Sequence, residues 1–298
     1  MREPILITGA SGFVGSHVLA RAQERGVQAA ACSGDLREPR VAREALAAHR
    51  PSAIVHLASS RHRHTGDPWG LLADELRMLA NVLSATAEMA PSAPVLIAGS
   101  ASQYGLAGPD PISESAPTVP ISDYGAVKCV LEQAALLTPL TKDVRVIWAR
   151  SFNFLGPGQG VGAPVPSWAR QIAEAESRGG GWVHTGDLQV VRDFLDVRDV
   201  GDAYLALLDS DAQGPVNVGS GRPVRLREIL QALLTSARVE IEVKTDDSLR
   251  RSRDPAFVVA DVTRLRRLTG WQPAIALSQS VDEVLDEWRA QVSRGEAA

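Results

Sequence analysis

The sequence predicts an α/β protein, with a doubly wound parallel sheet in its first half and a smaller α/β lobe in its second. Three observations predict this. Short apolar runs of strand length alternate with segments of helical spacing from Ile5 to Ala149. The first run leads straight into a glycine-rich turn and then a helix. Beyond Gly156 the alternation gives way to glycine- and proline-rich loops with scattered helical patches. Strands separated by helices of this length pair in parallel through right-handed crossovers.

Ile5–Ile7 is the first expected strand, and Ser16–Glu24 is helical by its spacing. Val27–Ala31 is a second strand, Val41–Ala48 a helix and Ala53–Leu57 a third strand. Leu71–Met89 reads as a long helix, Val95–Ala98 as a strand, Tyr124–Leu137 as a helix and Val144–Ala149 as a strand. In the second half, Gly156–Gly162 and Gly179–Gly181 read as loops. Helical patches are expected at Val200–Leu208, Leu226–Leu234, Val262–Leu268 and Val281–Val292, and a buried strand at Val216–Val218.

The chain has 298 residues, 45% of them hydrophobic, which suffices for one large domain or two closely joined ones. A formal net charge of -4 gives no bulk attraction to nucleic acid or to an anionic membrane surface. No run approaches the ~20 apolar residues of a membrane-spanning helix. Cys32 and Cys129 have no metal-ligand spacing and form no disulfide framework, so reduced, buried thiols and a cytoplasmic setting are expected.

The turn Thr8-Gly9-Ala10-Ser11-Gly12-Phe13-Val14-Gly15 lies between a strand and a helix. That context suits a dinucleotide. Gly9 permits the tight turn, Gly12 lets the backbone approach a pyrophosphate, and Gly15 lets helix pack on strand. The helix N-terminus then offers N–H groups and partial positive charge to the anion. Expected cofactor contacts are Gly9, Gly12, Phe13, Val14 and Gly15, then Asp35, Leu36 and Arg37 beyond the second strand, Leu57 and Ala58 after the third, and Tyr124 and Lys128 later in the chain. The second strand ends Ala31-Cys32-Ser33-Gly34, without the carboxylate that would bind a ribose 2′-hydroxyl and repel a 2′-phosphate. Arg37 either reaches such a phosphate or is a solvated loop charge. NADP(H) is therefore favoured over NAD(H).

Tyr124 and Lys128 stand four residues apart, which on a helix puts both on one face. A free tyrosine titrates near ~10, too high for acid–base work at neutrality. A neighbouring ammonium and an oxidised nicotinamide both favour the phenolate, and the lysine can also hold the nicotinamide ribose. Ser100 and Ser102 lie just past a strand's carboxyl end, where open α/β sheets bind ligands. Either hydroxyl could polarise a substrate carbonyl.

With these residues in hand, the chain resembles an extended short-chain dehydrogenase/reductase of the NAD-dependent epimerase/dehydratase family over nearly its full length. The stretches that carry the likeness are TGASGFVG, IVHLAS, GSASQYG, YGAVK, RSFNFLGPGQ, RDFLDVRDVGDAY, NVGSGRPVRLREI and TGWQP. The resemblance implies a Rossmann dinucleotide-binding domain over residues 1–155, with returns near 199–219, and a mainly sugar-nucleotide-binding lobe over 156–298. It selects Ser100, four residues before Tyr104, as the catalytic serine beside Tyr124 and Lys128. The second half is most similar to 4-ketoreductases of nucleotide-linked 4-keto-6-deoxyhexoses, those acting on GDP-4-keto-6-deoxymannose among them. That likeness implies Arg192 and Arg251 on the diphosphate, Asn153 and Arg170 beside the sugar nucleotide, Ser102 near the substrate, and a homodimer pairing Leu71–Met89 with the helix after Tyr124.

Departures from the family pattern narrow the chemistry. Sugar-nucleotide dehydratases carry a glutamate two residues before the motif tyrosine, where this chain has Ser102 after Ala101. Dehydration therefore lacks its acid–base pair. The 4-epimerases carry an acid at the end of the second strand, which is absent. Glu75 stands where many relatives have asparagine, a difference with no role assigned from sequence. The expectation is reduction of a 4-keto sugar nucleotide. A resident-NAD 4-epimerase is the enzyme alternative, and a non-catalytic dinucleotide sensor the remote one.

Overall fold

A computed structural model of the chain describes residues 4–60, 66–106, 108–250 and 253–295. Short strands buried at nearly every position need cover on both faces, and helices from both halves of the chain supply it. Strands β1 (Ile5–Thr8), β2 (Ala29–Cys32), β3 (Ala53–His56), β4 (Val95–Ala98), β5 (Val146–Ser151) and β9 (Gly214–Val218) form one parallel sheet in the order β2-β1-β3-β4-β5-β9. Successive side chains point to opposite faces. Ile5, Ile7, Val55, Leu96 and Ile147 share a core with helices α1 (Phe13–Glu24) and α6 (Val197–Leu208). Leu6, Ile54, Ile97, Val146 and Trp148 share the other with α2 (Pro39–His49), α3 (Pro68–Met89) and α4 (Asp123–Thr141). The expected doubly wound class is the one observed.

The chain passes from β1 to β2 on one side and then to β3 on the other. This reversal opens a crevice at the carboxyl ends of β1 and β3, the place where such sheets bind ligands.

The second strand starts two residues later than expected. Gly26 takes a positive φ of 68°, and Val27 bonds back to the Ala22 carbonyl at 2.8 Å, so the turn consumes it. Larger differences lie in the second half. Helix α5 (Pro164–Arg178) was not expected, although Val165, Trp168, Ala169, Ile172 and Ala173 have helical spacing. Two prolines in its first turn disguise its start, where proline is tolerated. Gly181, expected in a loop, instead opens strand β7 (Gly181–Thr185).

Strand β8 (Val191–Asp196) is the hub of a small sheet. It pairs in parallel with β6 (Asn153–Leu155) and β12 (Phe257–Val258), and antiparallel with β10 (Pro223–Arg225). Strand β11 (Ile241–Thr245) pairs with β7. Helix α5 packs with α7 (Leu226–Thr235) and α9 (Leu277–Arg294) around Trp168, Ile172, Leu233 and Leu285, while α8 (Thr263–Thr269) buries Leu265 in the core of the main sheet. Because β6 follows β5 after one residue, this lobe begins at the carboxyl edge of the main sheet. Asp193 pins it there, accepting from Ser220 N at 2.8 Å, Ser220 Oγ at 2.6 Å, Gly221 N at 2.9 Å and Ala260 N at 3.1 Å. No helix among the described residues is long and apolar enough to cross a membrane.

Candidate active site

The crevice is built by backbone proximity. Gly9 has φ +67°, and a Cβ there would lie 2.7 Å from the Ala58 nitrogen. A Cβ on Gly15 would lie 2.1 Å from the Gly9 carbonyl oxygen. Only glycine at these positions lets the turn meet the end of β3 and α1 meet the turn. Gly12 is the residue before α1 and no side chain caps the helix, so its first N–H groups are left for an anion. Phe13 packs edge-on against His17 and 6.0 Å from Phe154 across the crevice. Thr8 Oγ1 accepts from Leu57 N at 3.1 Å and Ala58 N at 3.2 Å, and pairs with His56 Nδ1 at 2.8 Å.

Beyond β2, Asp35 and Arg37 hold each other. Arg37 Nη2 donates to Asp35 Oδ2 at 2.6 Å and Nε to Oδ1 at 3.0 Å, while Nη1 reaches Asp74 Oδ2 at 3.1 Å. Arg37 brings the Asp35 carboxyl down to about 2. Leu36 is buried in the core beside them, and its carbonyl accepts from Asn81 Nδ2 at 2.8 Å.

Ser100, Tyr124 and Lys128 line one cleft of about 720 Å³, together with Val14, Leu57 and Ser151. Ser100 lies two residues past the end of β4 and caps a single 3₁₀ turn; its Oγ lies 2.8 Å from Ser102 Oγ and accepts from Ser102 N at 3.2 Å. Ser102 supports Ser100 in this way and is not among the cleft-lining residues. Tyr124 lies in the first turn of α4, capped by Ser122, and Lys128 Nζ sits 5.7 Å from its ring centroid. Gly125 explains the Tyr-Gly pair: a Cβ there would lie 2.4 Å from the Ser102 carbonyl oxygen, so glycine lets α4 close on the serine turn.

A buried polar network beneath Ser100 was invisible in the sequence. Gln103 Oε1 accepts from Ser100 N at 3.2 Å and from Trp148 Nε1 at 2.9 Å, while its Nε2 donates to Glu132 at 2.7 Å. Arg150 grips Glu132 through Nε at 2.9 Å and Nη2 at 2.5 Å, and donates to Tyr104 OH at 2.9 Å. Burial pushes Tyr104 up to about 12, against the pull of Arg150. Tyr104 OH donates in turn to Asn217 Oδ1 at 2.6 Å. On the opposite wall, Tyr204 OH and Ser151 Oγ stand 2.7 Å apart, with Tyr204 pushed to about 12 by burial. The relevant residues share no sequence spacing, so only the assembled fold reveals them.

The cleft extends into the second lobe past Asn153, Trp168, His184, Arg192 and Arg250. Arg192 is held in the wall by Asp254 at 2.7 Å and by the Pro255 carbonyl at 2.7 Å. Asn153 donates to the Asp193 carbonyl at 3.2 Å. Arg170 is not among the lining residues: α5 turns it towards Glu174, 3.5 Å away on the next helical turn. Arg251 lies outside the described residues. Both cysteines are unpaired, and both are half-buried where the sequence suggested full burial.

Residues 5–219 match the NAD dependent epimerase/dehydratase family. The GDP-6-deoxy-D-mannose reductase of Pseudomonas aeruginosa is 34% identical, over 98% of this chain and 99% of its own length. A UDP-glucose 4-epimerase of Rhizobium meliloti is 26% identical over 98% of both chains. Among solved structures, RMD from Pseudomonas aeruginosa complexed with NADPH matches with a TM-score of 0.88 at 33% identity, covering 97% of this chain and 99% of that one. The Thermus thermophilus UDP-glucose 4-epimerase in complex with NAD matches with a TM-score of 0.82 at 25% identity, covering 97% and 99% respectively.

Proposed function

Because this chain belongs to the NAD dependent epimerase/dehydratase family, we propose that it is a nicotinamide-dependent reductase of the 4-keto group of a nucleotide-linked 4-keto-6-deoxyhexose. The observation that carries this reading is one cleft lined by Ser100, Tyr124 and Lys128 whose serine turn holds Ala101 and Ser102 in place of carboxylates. The likeness to a GDP-6-deoxy-D-mannose reductase over almost the whole chain supports the same reaction.

The glycine turn and the uncapped start of α1 fit a pyrophosphate, since the backbone crowds where any Cβ would stand. The bound nicotinamide supplies the hydride. Tyr124 donates the proton to the C4 oxygen, and Ser100 Oγ donates a hydrogen bond to that oxygen as charge develops. Lys128 favours the phenolate that Tyr124 leaves behind and holds the nicotinamide ribose. Arg192 offers a planar cation to the diphosphate and Asn153 borders the sugar.

NADP(H) is the cofactor of this reading. No carboxylate ends β2, and the Asp35 carboxylate beyond it is paired with Arg37, so a 2′-phosphate meets no bare acid there. NADPH in the Pseudomonas aeruginosa structure agrees. The test supplies GDP-4-keto-6-deoxymannose with either reduced cofactor. NADPH is consumed stoichiometrically with sugar, at a higher kcat/KM than NADH. The relatives named as UDP-glucose 4-epimerases define the alternative: NAD retained through purification and a UDP-hexose epimerised without net cofactor consumption would establish it instead.

The reading includes a cytoplasmic homodimer. Val130, Leu137 and Leu140 are exposed on one stripe of α4, with Leu76 exposed on the adjacent α3, an apolar face of the kind that subunits cover. Unpaired cysteines suit a reducing compartment. Leu137→Glu converts the dimer to monomers in light scattering at unchanged helix content; a wild-type chain that is already monomeric sinks the dimer.

A further inference from the structure

The lysine of the cleft is half of a buried ion pair. Lys128 Nζ, on a side chain only 7% exposed as a residue, donates to Glu75 Oε2 at 2.8 Å. Glu75 comes from α3 and is 4% exposed. Its other oxygen accepts from the Ser59 hydroxyl at the cleft edge. Burial alone would push the Glu75 carboxyl up, but Lys128 and Ser59 outweigh it and hold it below the usual carboxylate range. His56, facing the same pair from β3, is pushed down to about 4 by burial and then by Lys128, so it stays neutral at ordinary pH. Tyr124 shares α4 with Lys128 and is faced by Tyr204 from α6. One negative charge therefore stands against one positive charge behind Tyr124.

We propose that Glu75 is a positioning residue of the reduction site, one that anchors the Lys128 ammonium at the cleft wall and offsets its field on Tyr124. A lysine side chain is a flexible four-carbon stem, and its ammonium has no fixed direction without a partner. Glu75, itself held by Ser59, supplies that direction from a separate helix. A charge and its counter-charge a few ångströms apart act as a dipole, whose field falls off faster than that of a lone charge. Tyr124 must carry its proton to donate it. A lone ammonium would favour the phenolate more strongly than the compensated pair does. A carboxylate in place of a neutral amide thus suits proton donation to a ketone.

This rests on the ketoreductase reading, and the test separates the two. Glu75→Gln keeps the size of the side chain and a polar contact to Ser59 while removing the charge. In the folded variant, NADPH binds about tenfold more weakly by cofactor fluorescence, because a loosened ammonium no longer meets the ribose. With the keto sugar, kcat falls and the basic limb of its pH profile moves down by about one pH unit, the sign expected when a compensating negative charge is lost. Unchanged NADPH affinity, or a basic limb that stays or moves up, overturns the proposal. If Glu75→Gln does not accumulate folded, Ser59→Ala moves the same limb in the same direction by a smaller amount, and an unmoved limb there overturns it equally. A wild-type enzyme that binds NADPH but leaves the sugar unreduced defeats the functional reading, while the binding comparison still decides the anchoring role of Glu75.

Discussion

Tyr124→Phe lowers kcat for the keto sugar by about 10²–10⁴-fold, the range set by loss of a positioned general acid. The variant keeps its fold, because phenylalanine preserves the ring at the start of α4 and removes only one hydroxyl at the cleft wall. NADPH binding stays close to wild type, since phenylalanine keeps the ring and the glycine turn with the end of β3 supplies the other expected contacts. The loss therefore appears in kcat and not in cofactor affinity. Steady-state kinetics beside a direct binding titration check it. A variant within tenfold of wild type in kcat means that another group supplies the proton.

Arg150→Met has the largest expected effect on stability. Arg150 and Glu132 are 5% and 2% exposed, joined by two short bonds. Removing the guanidinium leaves Glu132 a buried charge without its cation, a loss of about 3–5 kcal/mol. At the entropy of unfolding of a chain this long, that lowers Tm by roughly 5–8 °C. Tyr104 loses a donor as well, although its bond to Asn217 survives. The double variant Arg150→Met with Glu132→Leu regains most of the stability, because exchanging both partners for apolar groups removes the stranded charge. Its kcat stays reduced. Gln103 then lacks the Glu132 acceptor that orients it beneath the Ser100 amide. Thermal unfolding and kinetics on the single and double variants check both halves. A double variant no more stable than the single would assign the cost to packing instead.

The first half of the fold was legible because parallel strands buried on both faces read as unbroken aliphatic runs, as at Ile54–Val55 and Val95–Ile97. The glycine turn was legible because close approach leaves no choice of residue at Gly9 and Gly15. Tyr124 and Lys128 were legible through a spacing that one helix fixes. Helix α5 was hidden because its first turn is occupied by prolines after a glycine-rich stretch, so the breaker signal masked the apolar stripe. The Gln103–Glu132–Arg150 network could not be read, since its members lie on a turn, a helix and a strand whose meeting depends on the tertiary fold. Glu75 was noticed as an unusual residue, but its role emerged only when α3 packed against α4 and brought it to Lys128. Arg37 stayed open between a phosphate contact and a solvated loop charge in the sequence, because its ion pairs with Asp35 and Asp74 form only in the fold.

The central claim is hydride delivery to a sugar carbonyl with Tyr124 as the proton donor. The most direct measurement follows deuterium from NADPH carrying two deuterons at nicotinamide C4 into GDP-4-keto-6-deoxymannose, read by mass spectrometry and nuclear magnetic resonance. The account predicts one deuterium at sugar C4 for each NADPH oxidised, with the transfer all but abolished in Tyr124→Phe. A sugar product without deuterium, or equal transfer in the variant, would contradict it.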